Sequence, residues 1–218
     1  MNSFLFKDRS DAARQLVQKL AQYKECPDTL ILGLPRGGAV MAAELSRALG
    51  VPWDVYLVRK LGVPGREELA MGAVASGGEI VRNQDVIQEL GIPEQALQAA
   101  VRREEKEIIR RDRVYREQRP EPRIQNRIIL LTDDGLATGA TMQAAVLALR
   151  SKQPKKIVMA VPVAPPEICR RFVALVDDVI CLHTPDFFLA LSQWYEHFSQ
   201  TTDEEVRELL LATQKGSE

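Results

Sequence analysis

Apolar residues come in two spacings along this chain, and the two alternate. Continuous runs, TLILGL at 29–34, RIILLT at 127–132, KIVMAVPV at 156–163 and DVICLH at 178–183, are each followed by residues in which apolar positions recur every three or four. A continuous run suits a strand buried on both faces, and the 3.6-residue repeat suits a helix with one face on a core. DVYLVR at 54–59 reads as a further strand. Ahead of the first run, Ala13, Leu16, Val17 and Leu20 share a helical face behind the capping candidates Asp8 and Ser10. Gly62, Pro64 and Gly65 give 61–68 a loop composition, while AMGAVA at 70–75 and EIVR at 79–82 flank Gly77 and Gly78 as a hairpin would.

This alternation predicts an α/β fold, a doubly wound and mainly parallel sheet in a single domain over 1–218. Two stretches add to it. At 84–119, Leu97, Val101, Ile108 and Tyr115 form an apolar stripe among arginines and glutamates, and Gly91 with Pro93 divides a short helix from a long one. This insertion reads as a solvated amphipathic helix, with a dimerising or capping arm as the alternative, so a homodimer is one expected assembly. The stretch 185–213 reads as helical and carries Phe187, Phe188, Trp194, Tyr195 and Phe198.

Composition narrows the function classes. The 218 residues are 45% hydrophobic and 27% charged, with a net charge of −1. Such a chain has no electrostatic pull toward nucleic acid or acidic membranes, so a polyanion must be gripped locally; the arginine-rich stretch 102–127 is the one place that leaves room for RNA. Cys26, Cys169 and Cys181 are odd in number and form no C-x-x-C pair, and His183 and His197 lack metal-ligand spacing. No run approaches the ~18 apolar residues of a membrane span, and the start has no signal-peptide core, so a cytoplasmic protein is expected.

The chemistry is concentrated in IILLTDDGLATGAT at 128–141. A strand delivers Asp133 and Asp134 side by side, where two carboxylates repel unless hydroxyls, cations or amides satisfy them. A loop of small residues then opens into a helix, which aims backbone N–H groups and the helix's positive end at one point, where a phosphate can sit. Carboxylates for sugar hydroxyls beside an anion cradle describe a ribose 5-phosphate site. Gly139 is followed by Ala140 where a P-loop needs lysine, and no G-x-G-x-x-G follows a strand.

This segment resembles the signature of the type I phosphoribosyltransferases, which use 5-phosphoribosyl-1-pyrophosphate (PRPP). FKDRSDAA near the start, LPRGG, RKLG followed by ELAMGA, and the aromatic tail resemble a bacterial group of that family whose acceptor is unsettled. The resemblance implies that Asp133 and Asp134 bind the ribose hydroxyls and that Ala137, Thr138, Gly139, Ala140 and Thr141 bind the 5-phosphate. It makes Pro35, Arg36, Gly37 and Gly38 the pyrophosphate loop, with a non-proline cis peptide at Pro35–Arg36. Lys60 and Arg66 would flank a mobile loop that closes over PRPP, and 185–213 would form a C-terminal hood.

Under this reading the reaction passes through an oxocarbenium-like state as pyrophosphate leaves C1. Mg²⁺ is the implied cofactor, bound mainly through PRPP and also through Asp133 and Asp134, while Lys60 and Arg36 are the catalytic candidates that neutralise the leaving group. The acceptor is an unknown small molecule, a nitrogen nucleophile such as a nucleobase. Ala137 stands where the 6-oxopurine enzymes keep an aspartate, so the general acid/base of those enzymes is missing. Phe187, Phe188, Trp194 and Tyr195 are the candidates to stack a flat acceptor, with core packing as the alternative for each. A PRPP-sensing regulatory protein and a PRPP pyrophosphohydrolase are the other readings.

Overall fold

The computed structural model describes residues 5–117 and 120–214. In chain order the first elements are α1 (Arg9–Val17), β1 (Thr29–Gly33), α2 (Gly37–Leu49), β2 (Trp53–Val55), β3 (Val58–Val63), β4 (Arg66–Ala75) and β5 (Glu79–Arg82). They are followed by α3 (Gln84–Glu89), α4 (Glu94–Arg116), β6 (Ile128–Thr132), α5 (Ala140–Ser151), β7 (Lys156–Val163), α6 (Pro166–Val173), β8 (Asp178–His183) and α7 (Asp203–Gln214).

Five strands in the order β2-β1-β6-β7-β8 pair in parallel. The pleat sends alternate residues to opposite faces. Ile31, Leu130, Val158 and Ala160 belong to one apolar cluster with residues of α1, α2 and α7, while Leu30, Leu32, Ile129, Leu131, Ile157 and Met159 belong to another with residues of α5 and α6. Both faces of the sheet are thus covered, which is why its central strands read as unbroken apolar runs. The strands beginning near 29 and 127 are neighbours, and β6 lies in the middle, as their shared ligand requires. At the start of α1, the Asp8 side chain accepts from Asp11 N at 2.8 Å.

Three expectations are corrected. DVYLVR is two strands: β2 ends at Val55 on the edge of the parallel sheet, and β3 begins at Val58 in a separate antiparallel sheet, β3-β4-β5. Val55, Tyr56, Leu57 and Val58 are all buried, so hydrophobicity does not mark the crossing between sheets. The supposed loop at 61–68 is mostly strand, with Pro64 and Gly65 (φ 77°) turning a β3-β4 hairpin. The tail is less helical than expected, since only a 3-10 turn at Leu191–Trp194 precedes α7.

The insertion is two helices, and its last two positions, 118 and 119, lie outside the described residues. The stripe of Leu97, Val101, Ile108 and Tyr115 is buried, and α4 packs on β3 and α7. The helix therefore caps its own domain instead of standing in solvent. Arg116 is buried as well, with Nη2 donating to Val55 O at 2.6 Å and lying 3.3 Å from Asp54 Oδ1, and its Nη1 paired with Asp112. Among the described residues no helix is long and apolar enough to cross a membrane.

Candidate active site

The loops after β1 and β6 meet at the carboxyl edge of the sheet. Leu34 N donates to Thr132 O at 3.0 Å, tying the two loop bases together. A Cβ on Gly37 would stand 2.0 Å from Asp134 Oδ2, and one on Gly38 would stand 2.7 Å from Thr132 O. Only residues without a side chain allow this approach. The Pro35–Arg36 peptide is cis. Arg36 stands just ahead of α2 with Nη1 3.9 Å from Asp203 Oδ1.

Asp133 and Asp134 follow β6 directly. Asp134 N donates to Asp133 Oδ1 at 2.9 Å. Burial, and then the neighbouring Asp134 charge, push the Asp133 carboxyl well above the usual range. Burial also raises Asp134, but Arg9 opposes it: Nε donates to Asp134 Oδ2 at 2.7 Å. From the other side the Tyr195 hydroxyl donates to Asp134 O at 2.6 Å.

The small-residue loop leads into α5 through Gly139, which has φ 71°. Ala137 and Thr138 are exposed, and Ala140 N donates to the Thr138 hydroxyl at 3.3 Å. The N-cap residue Gly139 supplies no side-chain cap, so apart from Ala140 N the first-turn amides remain the anion-binding feature of the loop. On the outer side, Arg171 Nη2 donates to Thr138 O at 2.5 Å, which holds that carbonyl away from the amides.

A strand-edge site made of two interlocked loops, with paired carboxylates between them and a helix N-terminus beside them, invites comparison with known proteins. The family model described as the phosphoribosyl transferase domain matches residues 5–193. The chain belongs to the phosphoribosyl transferase domain family. It is 44% identical over 202 residues to two Mycobacterium tuberculosis proteins, from the H37Rv and CDC 1551 strains, provisionally named phosphoribosyl transferases. That match covers 93% of this chain but 45% of each relative, so the chain spans under half the length of the curated relatives it matches. The crystal structure of the Thermus thermophilus protein TT1426 is 40% identical, with a TM-score of 0.87, covering 95% of this chain and 98% of that one.

Against the phosphoribosyltransferase expectation, the two loops and the acidic pair come together, while other candidates lie elsewhere. Lys60 sits on β3 opposite Ala73, and Arg66 begins β4, so neither flanks an open loop. Tyr195 is 2% exposed, with its ring against Phe6 and Phe198 and its hydroxyl on Asp134 O, and is therefore no stacking surface for an acceptor. Phe187 is 88% exposed. Phe188 and Trp194 pack together at 5.9 Å, and the Trp194 Nε1 is buried without a protein acceptor. Leu191 closes the hood onto the loop after β6, since a Cβ on Gly135 would stand 2.3 Å from Leu191 Cδ1.

Sequence reasoning missed several residues that meet here. Asp203 joins the pyrophosphate-loop candidate to the insertion, accepting from Tyr115 Oη at 2.6 Å and Arg110 Nη2 at 3.0 Å while facing Arg36. Burial alone would raise the Asp203 carboxyl, yet the Tyr115 and Arg110 hydrogen bonds hold it below its ordinary value. Arg59 and Arg111 line a small cavity of about 20 Å³ with Leu34, Pro35, Tyr56 and Thr141. Only FKDRSDAA, which holds Arg9, carried any advance signal, and it named no partner. Tyr195→Phe is expected to cost about 1 kcal/mol of stability, the usual net worth of one hydrogen bond, when urea unfolding of the two proteins is compared.

Proposed function

We propose that this domain binds PRPP across the carboxyl edge of its sheet and moves the phosphoribosyl group to a nitrogen nucleophile, releasing pyrophosphate. The observation that carries this reading is the interlock of the two loops: Gly37 stands against Asp134, and the same loop continues through Gly139 into the α5 amides. Those features present, in order, a backbone surface for pyrophosphate, carboxylates for the sugar and a cradle for the 5-phosphate.

In this reading Asp133 and Asp134 accept from the ribose hydroxyls and transfer no proton. Residues 137–141 hold the 5-phosphate, chiefly through the amides of Gly139 and Thr141. Pro35, Arg36, Gly37 and Gly38 enclose the pyrophosphate, with Arg36 adding positive charge as it leaves. Carboxylate oxygens are the donors that Mg²⁺ takes, and with Asp134 Oδ2 on Arg9 and Asp133 Oδ1 on Asp134 N the ion would be held mainly by PRPP itself, with Asp133 and Asp134 adding their remaining oxygens. When bound, Mg²⁺ supplies charge neutralisation at the pyrophosphate oxygens. The Phe188–Trp194 pair is the stacking surface available to a flat acceptor, and Phe187 stands ready at its rim.

Pyrophosphate release from PRPP with Mg²⁺, measured across nucleobases, amines and small amides, tests the proposal. Release that depends on one acceptor is the expected result. Release without any acceptor would make the protein a pyrophosphohydrolase, and PRPP binding without turnover would make it a sensor; either overturns the transferase reading. Asp134→Asn is expected to weaken PRPP binding in calorimetric titration by ~1.5–3 kcal/mol, the worth of a charged hydrogen bond, with turnover falling alongside. Unchanged affinity would remove the ribose assignment.

A further inference from the structure

We infer that Arg9 is a positioning residue for the ribose site, orienting the Asp134 carboxylate from the start of α1. The inference rests on the PRPP reading above and assigns a role to a segment that reading leaves idle. Arg9 begins α1, and its side chain is only 12% exposed. Its Nε donates to Asp134 Oδ2 at 2.7 Å, and its Nη1 donates to Ser199 O at 2.7 Å. The guanidinium lies 4.0 Å over the Phe198 ring, Phe198 stacks on Tyr195 at 4.8 Å, and Tyr195 donates to the Asp134 carbonyl. Asp134 is therefore held at its carboxylate and at its main chain by one closed ring of residues.

The chemistry of that ring is specific to arginine. Its planar fork bonds a carboxylate and a carbonyl at once while its face stacks on an aromatic ring, which an ammonium group does not do. The groups around it are Asp8 and Asp133, both acidic, and Tyr195, whose hydroxyl burial keeps neutral. Two adjacent carboxylates without a cation would drift apart or neutralise, and neither state presents a fixed acceptor to a sugar hydroxyl. With Oδ2 committed to Arg9, the plane of the Asp134 carboxylate is set for the ribose hydroxyls. The backbone at both ends of the ring supports the same geometry: Leu5 N and Phe6 N each lie 3.1 Å from Trp194 O, and Glu196 N donates to Phe6 O at 2.9 Å. The N-terminal segment and the hood thus grip the acidic pair jointly.

Calorimetric titration of Arg9→Met and Arg9→Lys with PRPP, and separately with inorganic phosphate, tests this. Arg9→Met is expected to bind PRPP ~10–100-fold more weakly, the fold-change of one lost charged hydrogen bond, with inorganic phosphate binding unchanged. Arg9→Lys is expected to recover part of the loss. In turnover the KM for PRPP should rise while kcat changes less, because orientation of the sugar is uniform binding. Equal or tighter PRPP binding by Arg9→Met overturns the inference and makes Arg9 a plug on the ribose site. A parallel fall in phosphate affinity overturns it as well, since a purely structural clip would disturb both. Should Arg9→Met fail to fold, Phe198→Leu keeps the charge and removes its shelf; weaker PRPP binding supports the inference, and unchanged binding overturns it. Failure of the wild-type protein to bind PRPP is read before any variant and removes the underlying proposal, and this inference with it.

Discussion

Gly139→Val is expected to lower PRPP affinity ~1,000-fold or more while leaving a cooperative thermal transition, the loss of two or more charged hydrogen bonds to one phosphate. The reason lies in the backbone. Gly139 has φ 71°, a left-handed conformation that costs an L-residue roughly 1–2 kcal/mol and a β-branched one more. Space is also short: a Cβ would stand 2.9 Å from Arg171 Nη2, 2.9 Å from Phe172 Cε2 and 3.2 Å from Ile168 Cγ2. The added side chain would thus press outward into α6, away from the phosphate, and strip Arg171 from the Thr138 carbonyl. A loop that escapes this strain turns its amides off their common point.

Thr141→Ala sets the contrast. It removes one hydroxyl from a cradle made of amides and a helix dipole, so only a few-fold loss is expected, about the worth of one hydrogen bond. Titrating PRPP into both variants, with thermal transitions recorded, separates the two causes. Tight binding by folded Gly139→Val would remove the phosphate cradle.

Much of this arrangement was legible because it is local in sequence. One strand run, the acidic pair and the small-residue loop lie within fourteen consecutive residues at 128–141, and each leaves a mark that periodicity or loop composition records. The contacts that complete the site leave none. Arg9 and Asp134 are 125 residues apart, and Tyr195 and Asp134 are 61 apart, so no spacing rule connects them. An aromatic in a polar tail gives the same signal whether it stacks on a ligand or, like Tyr195, closes the core beneath one. Arginines on an amphipathic helix read as solvated, but Arg116 is buried because Asp54, Asp112 and the Val55 carbonyl converge on it. The break between β2 and β3 is likewise set by where the parallel sheet ends, and apolar residues continue through it.

The smallest possible change at the loop interlock is expected to have the second-largest effect: Gly37→Ala should cost ~100-fold or more in PRPP affinity while the protein stays folded. Helix propensity alone points the other way. Gly37 opens α2 with no positive φ, and alanine in a helix is favoured over glycine by about 0.5–1 kcal/mol. Geometry decides the sign for binding, because the new Cβ would stand 2.0 Å from Asp134 Oδ2 and 2.5 Å from its Cγ. Either the start of α2 withdraws or Asp134 swings off Arg9. The first moves the pyrophosphate loop from its partner, and the second breaks the 2.7 Å bond that orients the carboxylate. A lost charged hydrogen bond of ~1.5–3 kcal/mol set against the helix gain of about 0.5–1 kcal/mol leaves a net loss of roughly 0.5–2.5 kcal/mol, so the variant stays folded. Inorganic phosphate should still bind it, since the atoms nearest a Cβ on Gly37 all belong to Asp134 and none to residues 137–141. A Gly37→Ala protein that binds PRPP like wild type would show that the two loops do not share one ligand, and the ribose carboxylates would then have to be sought away from this edge.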